Sequence, residues 1–216
     1  MIKLTPELLK QEASKFAVAE STYKEKSLYG TTDGKAVGTY LEHKFQHFLA
    51  KKYSCSIGSS AKGIDFPKLN IDIKVTSIRQ PQSSCPFTSA RQKIYGLGYD
   101  LLVFVYDKTD HAKTKTATLL IKHVIFVNRN QTGDYQTTTG LLKILDNKGN
   151  TDDLIAFMQE RALPVDDIQA KVLADEIIKI RPLVGYLTIS NALQWRLQYS
   201  RIIEQANKTV GVERVL

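Results

Sequence analysis

Cysteine is scarce in these 216 residues: Cys55 and Cys85 stand 30 positions apart with no Cys-x-x-Cys pair. That spacing supports neither a disulfide framework nor a cysteine-rich zinc site, and it suits a reducing cytoplasm. Glycine (12) and proline (6) are too few for low-complexity or collagen-like chains. Long apolar runs are missing as well. The longest, Leu101 to Tyr106, has six residues, against the roughly 20 that a bilayer span needs, so no membrane span is expected. A capped helix start at Thr5-Pro6-Glu7 comes too early for the apolar core of a secretory leader. The expectation is a cytoplasmic protein. There is no glycine-rich phosphate loop, so ATP-driven chemistry is unsupported. His43 and His47 are one helical turn apart, but no glutamate follows the first, as a zinc protease would require; a solvated or phosphate-contacting pair is the simpler reading. The two cysteines read as ordinary thiols.

Basic residues are abundant by contrast: 30 Lys and Arg against 22 Asp and Glu give a net charge of +8. The excess is local. Residues 1–150 carry 22 basic and 13 acidic side chains, residues 151–216 carry 8 and 9, and residues 51–150 alone carry 15 and 7. A basic middle suits a polyanion, nucleic acid first, although a solvated surface can carry the same balance.

The length allows one large domain, or one domain with an appended subdomain. Helices are predicted over about Pro6 to Glu20 and Gly34 to Lys52, the second with Val37, Leu41, Phe45, Phe48 and Leu49 on one stripe. The period then changes to two. In Leu69 to Thr76 the apolar residues alternate with Asn70, Asp72, Lys74 and Thr76, the pattern of a strand with one face in the core. Tyr99 to Tyr106 reads as a central strand and Thr116 to Val127 as another, with a short helix over Ser89 to Tyr95 and a polar loop over Asn128 to Thr139. Beyond residue 150 the pattern is helical: Asp152 to Arg161, Asp167 to Ile180 and Asn191 to Ala206, the last two N-capped by Asp166 and Ser190.

Asp72 and Lys74, two apart on a strand, project from the same face. If Pro67 and Lys68 form a tight reversal that pairs Phe66 with Leu69, Asp65 lies opposite Asn70 and diagonal to Asp72. Two carboxylates and a lysine are what metal-assisted phosphodiester hydrolysis needs: the acids hold Mg²⁺ and the ammonium orients water and offsets developing charge. Asp72 and Lys74 alone would equally suit a solvated strand face.

Order strengthens the chemical reading. A helix carrying Glu42, then Asp65, a turn, Asp72-Ile73-Lys74, a helix and an apolar strand, over residues 34–106, resemble the core of the PD-(D/E)xK nuclease superfamily. The resemblance makes Asp65 the first acid, Asp72 and Lys74 the second acid and lysine, Glu42 an auxiliary acid for a second metal or a bound water, and Gln92 the glutamine on the following helix. Ile64 stands where the superfamily has proline, and six residues between the acids is a short spacing. The stretch from Lys74 to Phe87 is similar to the segment after the lysine in a group of short type II restriction endonucleases. The implied architecture is α/β, a restriction-endonuclease-like mixed sheet flanked by helices. Residues 1–150 would form the nuclease core with its recognition loops, and residues 151–216 a helical subdomain for accessory DNA contact or dimerisation.

Base readout needs paired donors and acceptors. Arg79, Gln80, Gln82 and Ser83 lie just beyond the acidic strand; Arg129, Asn130 and Gln131 lie in the later polar loop, and Gln194 and Arg196 in the tail. The implied function is Mg²⁺-dependent, sequence-specific cleavage of double-stranded DNA by a homodimer. A structure-directed repair or recombination nuclease and a non-catalytic DNA-binding protein are the alternatives, because a fold does not set its substrate.

Overall fold

The computed structural model describes residues 2–54, 58, 63–84, 89–190 and 196–216. In chain order the elements are β1 (Ile2–Lys3), α1 (Pro6–Glu20), β2 (Lys24–Glu25), α2 (Gly34–Ala50), β3 (Tyr53–Ser54), β4 (Ile71–Ser77), β5 (Gln82–Ser84), α3 (Ala90–Tyr95), β6 (Asp100–His111) and β7 (Thr116–Val127). A 3-10 turn (Arg129–Gln131) comes next, then α4 (Tyr135–Asp146), α5 (Thr151–Glu160), α6 (Asp167–Lys179), β8 (Thr188–Ile189), β9 (Arg196–Gln198), α7 (Ser200–Gln205) and β10 (Val212–Arg214). They form two compact units interleaved along the chain: residues 1–83, 100–127 and 206–216, and residues 84–99 and 128–205.

The first unit is a mixed sheet in the order β10-β7-β6-β4, with β2 also pairing with β7. β6 and β7 run antiparallel, with a register shift between Val105 and Tyr106. β4 lies parallel to β6, Asp72 beside Leu101 and Lys74 beside Val103. Alternation decides which side chains meet the helices. Ile71, Ile73 and Val75 join Leu102, Phe104 and Tyr106 in one core with the apolar stripes of α1 and α2. Phe45 is the hub, its ring centroid 5.0 Å from Phe16 and 5.2 Å from Phe104; burying such a ring stabilises the fold by roughly 1.5–3 kcal/mol. Both helix starts follow their caps. Thr5 Oγ1 accepts from Leu8 N–H at 3.3 Å, and Asp33 accepts from Lys35 N–H at 2.9 Å.

The second unit gathers α3 to α6 around Ile94, Leu141, Leu154, Met158, Leu173 and Ile177. Buried Asp134 organises it. One carboxylate oxygen accepts from Thr137 N–H and Oγ1 at the start of α4, and the other accepts from Ile189 N–H of β8 at 2.8 Å. No helix among the described residues is long and apolar enough to cross a membrane.

Three expectations are corrected. The reversal before β4 is not a two-residue hairpin: Phe66 pairs with Ile71, four residues intervene, and Asn70 takes a left-handed φ of 57°, a conformation asparagine tolerates better than most side chains. The polar loop ends early, because α4 begins at Tyr135. Its three consecutive threonines are weak helix formers, but the Asp134 cap supports them, and Thr138 and Thr139 hydroxyls donate to carbonyls one turn back. A helix over Asn191 to Ala206 is not formed either: Arg196–Gln198 is a strand antiparallel to Thr188–Ile189. Ser190 closes that ladder with Arg196 rather than capping a helix. Gln194, Cys55 and Cys85 lie outside the described residues.

Candidate active site

The acidic cluster sits on β4, an edge strand of the sheet, and on the flank of α2. Along α2 the buried residues Val37, Leu41, Phe45 and Leu49 recur every four positions. Gly38, Glu42 and Gln46 form a second stripe displaced from it by one residue. Gly38 faces β4, where an added Cβ would make ordinary contact, 3.9 Å from that of Val75. Glu42 and Gln46, on the same stripe, lie alongside the acids of the strand region.

Phe66 exchanges both backbone hydrogen bonds with Ile71, at 3.0 and 3.3 Å. Continued by one residue, this register puts Asp65 directly opposite Asp72 rather than diagonal to it. Asp65 Oδ2 accepts from Ile73 N–H at 2.8 Å, and its Oδ1 accepts from Gln46 Nε2 at 3.1 Å. Asp72 is 3% exposed. Lys74 Nζ stands 2.7 Å from Asp72 Oδ2 as its ion-pair partner. The strand's polar face is therefore not the solvated surface that alternation alone would allow.

The electrostatics follow from crowding. Burial, then Asp65 and Asp72, push the Glu42 carboxyl up to about 7, against the pull of Lys74. Burial lifts Asp72 to about 6, with Lys74 opposing and Asp65 adding to the rise. Desolvated carboxylates packed side by side bind a proton or a cation more readily than solvated ones. Among the described residues no three His, Cys, Asp or Glu side chains are drawn together at metal-ligand spacing. Mg²⁺ does not need three: it is commonly held by one or two carboxylates, with waters and substrate phosphate completing its shell. A buried carboxylate beside a second one, crowded enough that its proton is held more tightly than usual, fits such an ion.

The expected recognition residues divide between the units. In the first, Arg79 and Gln80 are exposed in the turn that closes on Ser77, with Arg79 Nε 3.4 Å from Asp107 Oδ1. Thr76 Oγ1 donates to the Gln80 and Gln82 carbonyls, and Gln82 and Ser83 lie on β5. In the second, Gln92 is on α3, Arg196 is on β9, and Arg129, Asn130 and Gln131 form the 3-10 turn capped by Asn128. His43 and His47 are exposed, and His47 Nδ1 lies 2.7 Å from the His43 carbonyl, engaged by backbone. Gln46 is the one cluster residue that sequence reading passed over. Its mark was its place four residues after Glu42, on the edge of the buried stripe.

The mixed sheet carries Asp72 and Lys74 on its edge strand, with Asp65 on the segment that faces it, the arrangement that the resemblance to PD-(D/E)xK nucleases implies. Residues 3–214 match the family described as type II restriction enzyme NspV. The chain is 60% identical over 212 residues, 98% of its own length and 96% of the relative's, to type II restriction enzyme NspV of Nostoc sp. (strain ATCC 29411 / PCC 7524). The chain belongs to this family of type II restriction enzymes. No solved structure matches it.

Proposed function

We propose that the protein hydrolyses double-stranded DNA at a specific sequence with Mg²⁺ held by Asp65 and Asp72. The observation that carries this reading is the buried Asp72 carboxylate set between Asp65 and Lys74. Bound there, Mg²⁺ would activate water and offset charge on the scissile phosphate. Lys74 holds an ammonium where water is oriented and negative charge develops. Glu42, pushed up to about 7, accepts a hydrogen bond from water or supports a second ion. Arg79, Gln80, Gln82, Ser83, Gln92, Arg129, Asn130, Gln131, Gln194 and Arg196 are the proposed DNA contacts. The net charge of +8 favours the polyanion. Two copies of the site would cut both strands, so the working form is a cytoplasmic homodimer.

Plasmid digestion in Mg²⁺, with the product ends sequenced, tests the reading. Discrete bands with one common end sequence are expected. Asp72→Asn and Lys74→Ala should each lose at least about 10²–10³ in rate, the usual cost of a preorganised electrostatic group, while keeping cognate binding. Wild-type cleavage by either variant, or cutting confined to mismatches, junctions or flaps, refutes it.

A further inference from the structure

We infer that Gln46 is a positioning residue of the metal site: its amide fixes the plane of the Asp65 carboxylate and so aims Asp65 at the cation. The inference rests on the reading of Asp65 and Asp72 as the ligands. It starts from two hydrogen bonds, Ile73 N–H to Oδ2 at 2.8 Å and Gln46 Nε2 to Oδ1 at 3.1 Å. A carboxylate held by one donor can still turn about its Cβ–Cγ bond. A second donor on the other oxygen removes that freedom. Each oxygen has two lone pairs, so the two donors leave one on each for an ion.

The chemistry of the position favours glutamine. A lysine or arginine would fix the carboxylate equally well but would bring a positive charge that competes with the metal. A glutamate would have no proton to donate when ionised and would add to the repulsion that already raises Glu42. The neutral amide orients without changing the charge. It also has a firm base: Leu41, Phe45 and Leu49 on the adjoining stripe of α2 are fully buried, and a site holds its geometry when its supporting residues are locked by packing. The spacing of four along α2 presents Glu42 and Gln46 to the same cluster, one turn apart.

Two variants separate orientation from packing. Gln46→Met keeps the length and bulk of the side chain and removes the donor; Gln46→Ala removes both. Calorimetric titration of the DNA-free protein with Ca²⁺, urea unfolding and cleavage at saturating DNA across a Mg²⁺ series are measured for each. Gln46→Met should fold with wild-type stability and lose about 10–100-fold in Ca²⁺ affinity, the usual cost of removing a group that orients a metal ligand. Its Mg²⁺ midpoint for cleavage should rise by the same factor, with KM for DNA unchanged. Gln46→Ala should add a loss of stability. Wild-type Ca²⁺ affinity and Mg²⁺ midpoint in Gln46→Met overturn the assignment to Gln46 alone. A wild type that takes up no Ca²⁺ overturns the metal reading and the role of Gln46 with it.

Discussion

Without metal, Glu42 should make the protein less stable as pH rises. Its carboxyl moves from an ordinary 4.5 to about 7 in the fold, chiefly through burial and then through Asp65, with Lys74 opposing and Asp72 contributing last. The folded chain therefore holds this proton more tightly than the unfolded chain does. Below about 4.5 both states are protonated and no penalty exists. The penalty grows between 4.5 and about 7, and above 7 it is complete, because the folded state must then carry a desolvated charge. At about 1.4 kcal/mol per pKa unit the full cost is of order 3 kcal/mol. Glu42→Gln keeps the shape and removes the titration. Urea unfolding in EDTA at pH 4 to 8 should give nearly equal stabilities at pH 4 and a variant more stable by about 3 kcal/mol at pH 8. Asp72, raised to about 6, bends both curves in the same direction, so the difference between the two proteins reports Glu42 together with its coupling to Asp65 and Asp72. Parallel curves would refute the crowding argument, for they would mean that Glu42 ionises as freely in the fold as in the unfolded chain.

Other consequences can be measured separately. Arg79→Ala and Gln131→Ala should each weaken cognate DNA by about 1–3 kcal/mol where the side chain makes a paired contact to a base, with little change on random DNA; competition binding in Ca²⁺ reads both, and an unchanged cognate-to-random ratio removes that residue from recognition. Asp134→Ala strips the α4 cap and leaves the buried Ile189 N–H without its acceptor, so unfolding should become easier by about 2–5 kcal/mol. A loss below about 1 kcal/mol in urea unfolding would count against its organising role.

What could be read from residues alone divides along physical lines. Helix α1 and strand β7 have the predicted bounds, because Thr5-Pro6 marks a helix start and the β-branched run of Thr116 to Val127 has few alternatives. The acids were legible too, since Asp72 and Lys74 share a face whatever lies before them. Their relation to Asp65 was not. It depends on the left-handed turn at Asn70, and no pattern distinguishes an asparagine in that conformation from one in a strand. Helix α4 was hidden for a related reason: local preference in Tyr135 to Thr139 points away from a helix, and the groups that overrule it include the buried partner of Asp134 more than 50 residues further on. Gln46 carried only its spacing from Glu42 as a mark, because a polar residue on a helix flank looks solvated until its acceptor is known.

The interleaving of the two units also sets a sequence of events during synthesis. Residues 125–127 of β7 pair with residues 212–214 of β10, and the whole stretch 128–205 of the second unit is made in between. A ribosome that has just released β7 has delivered every proposed catalytic side chain, yet the sheet that carries them still has an open border. Pairings so distant in the chain form slowly, and an unpaired strand edge invites the wrong partner. The first unit, which holds the proposed site, thus receives its last strand only after the second unit has been translated.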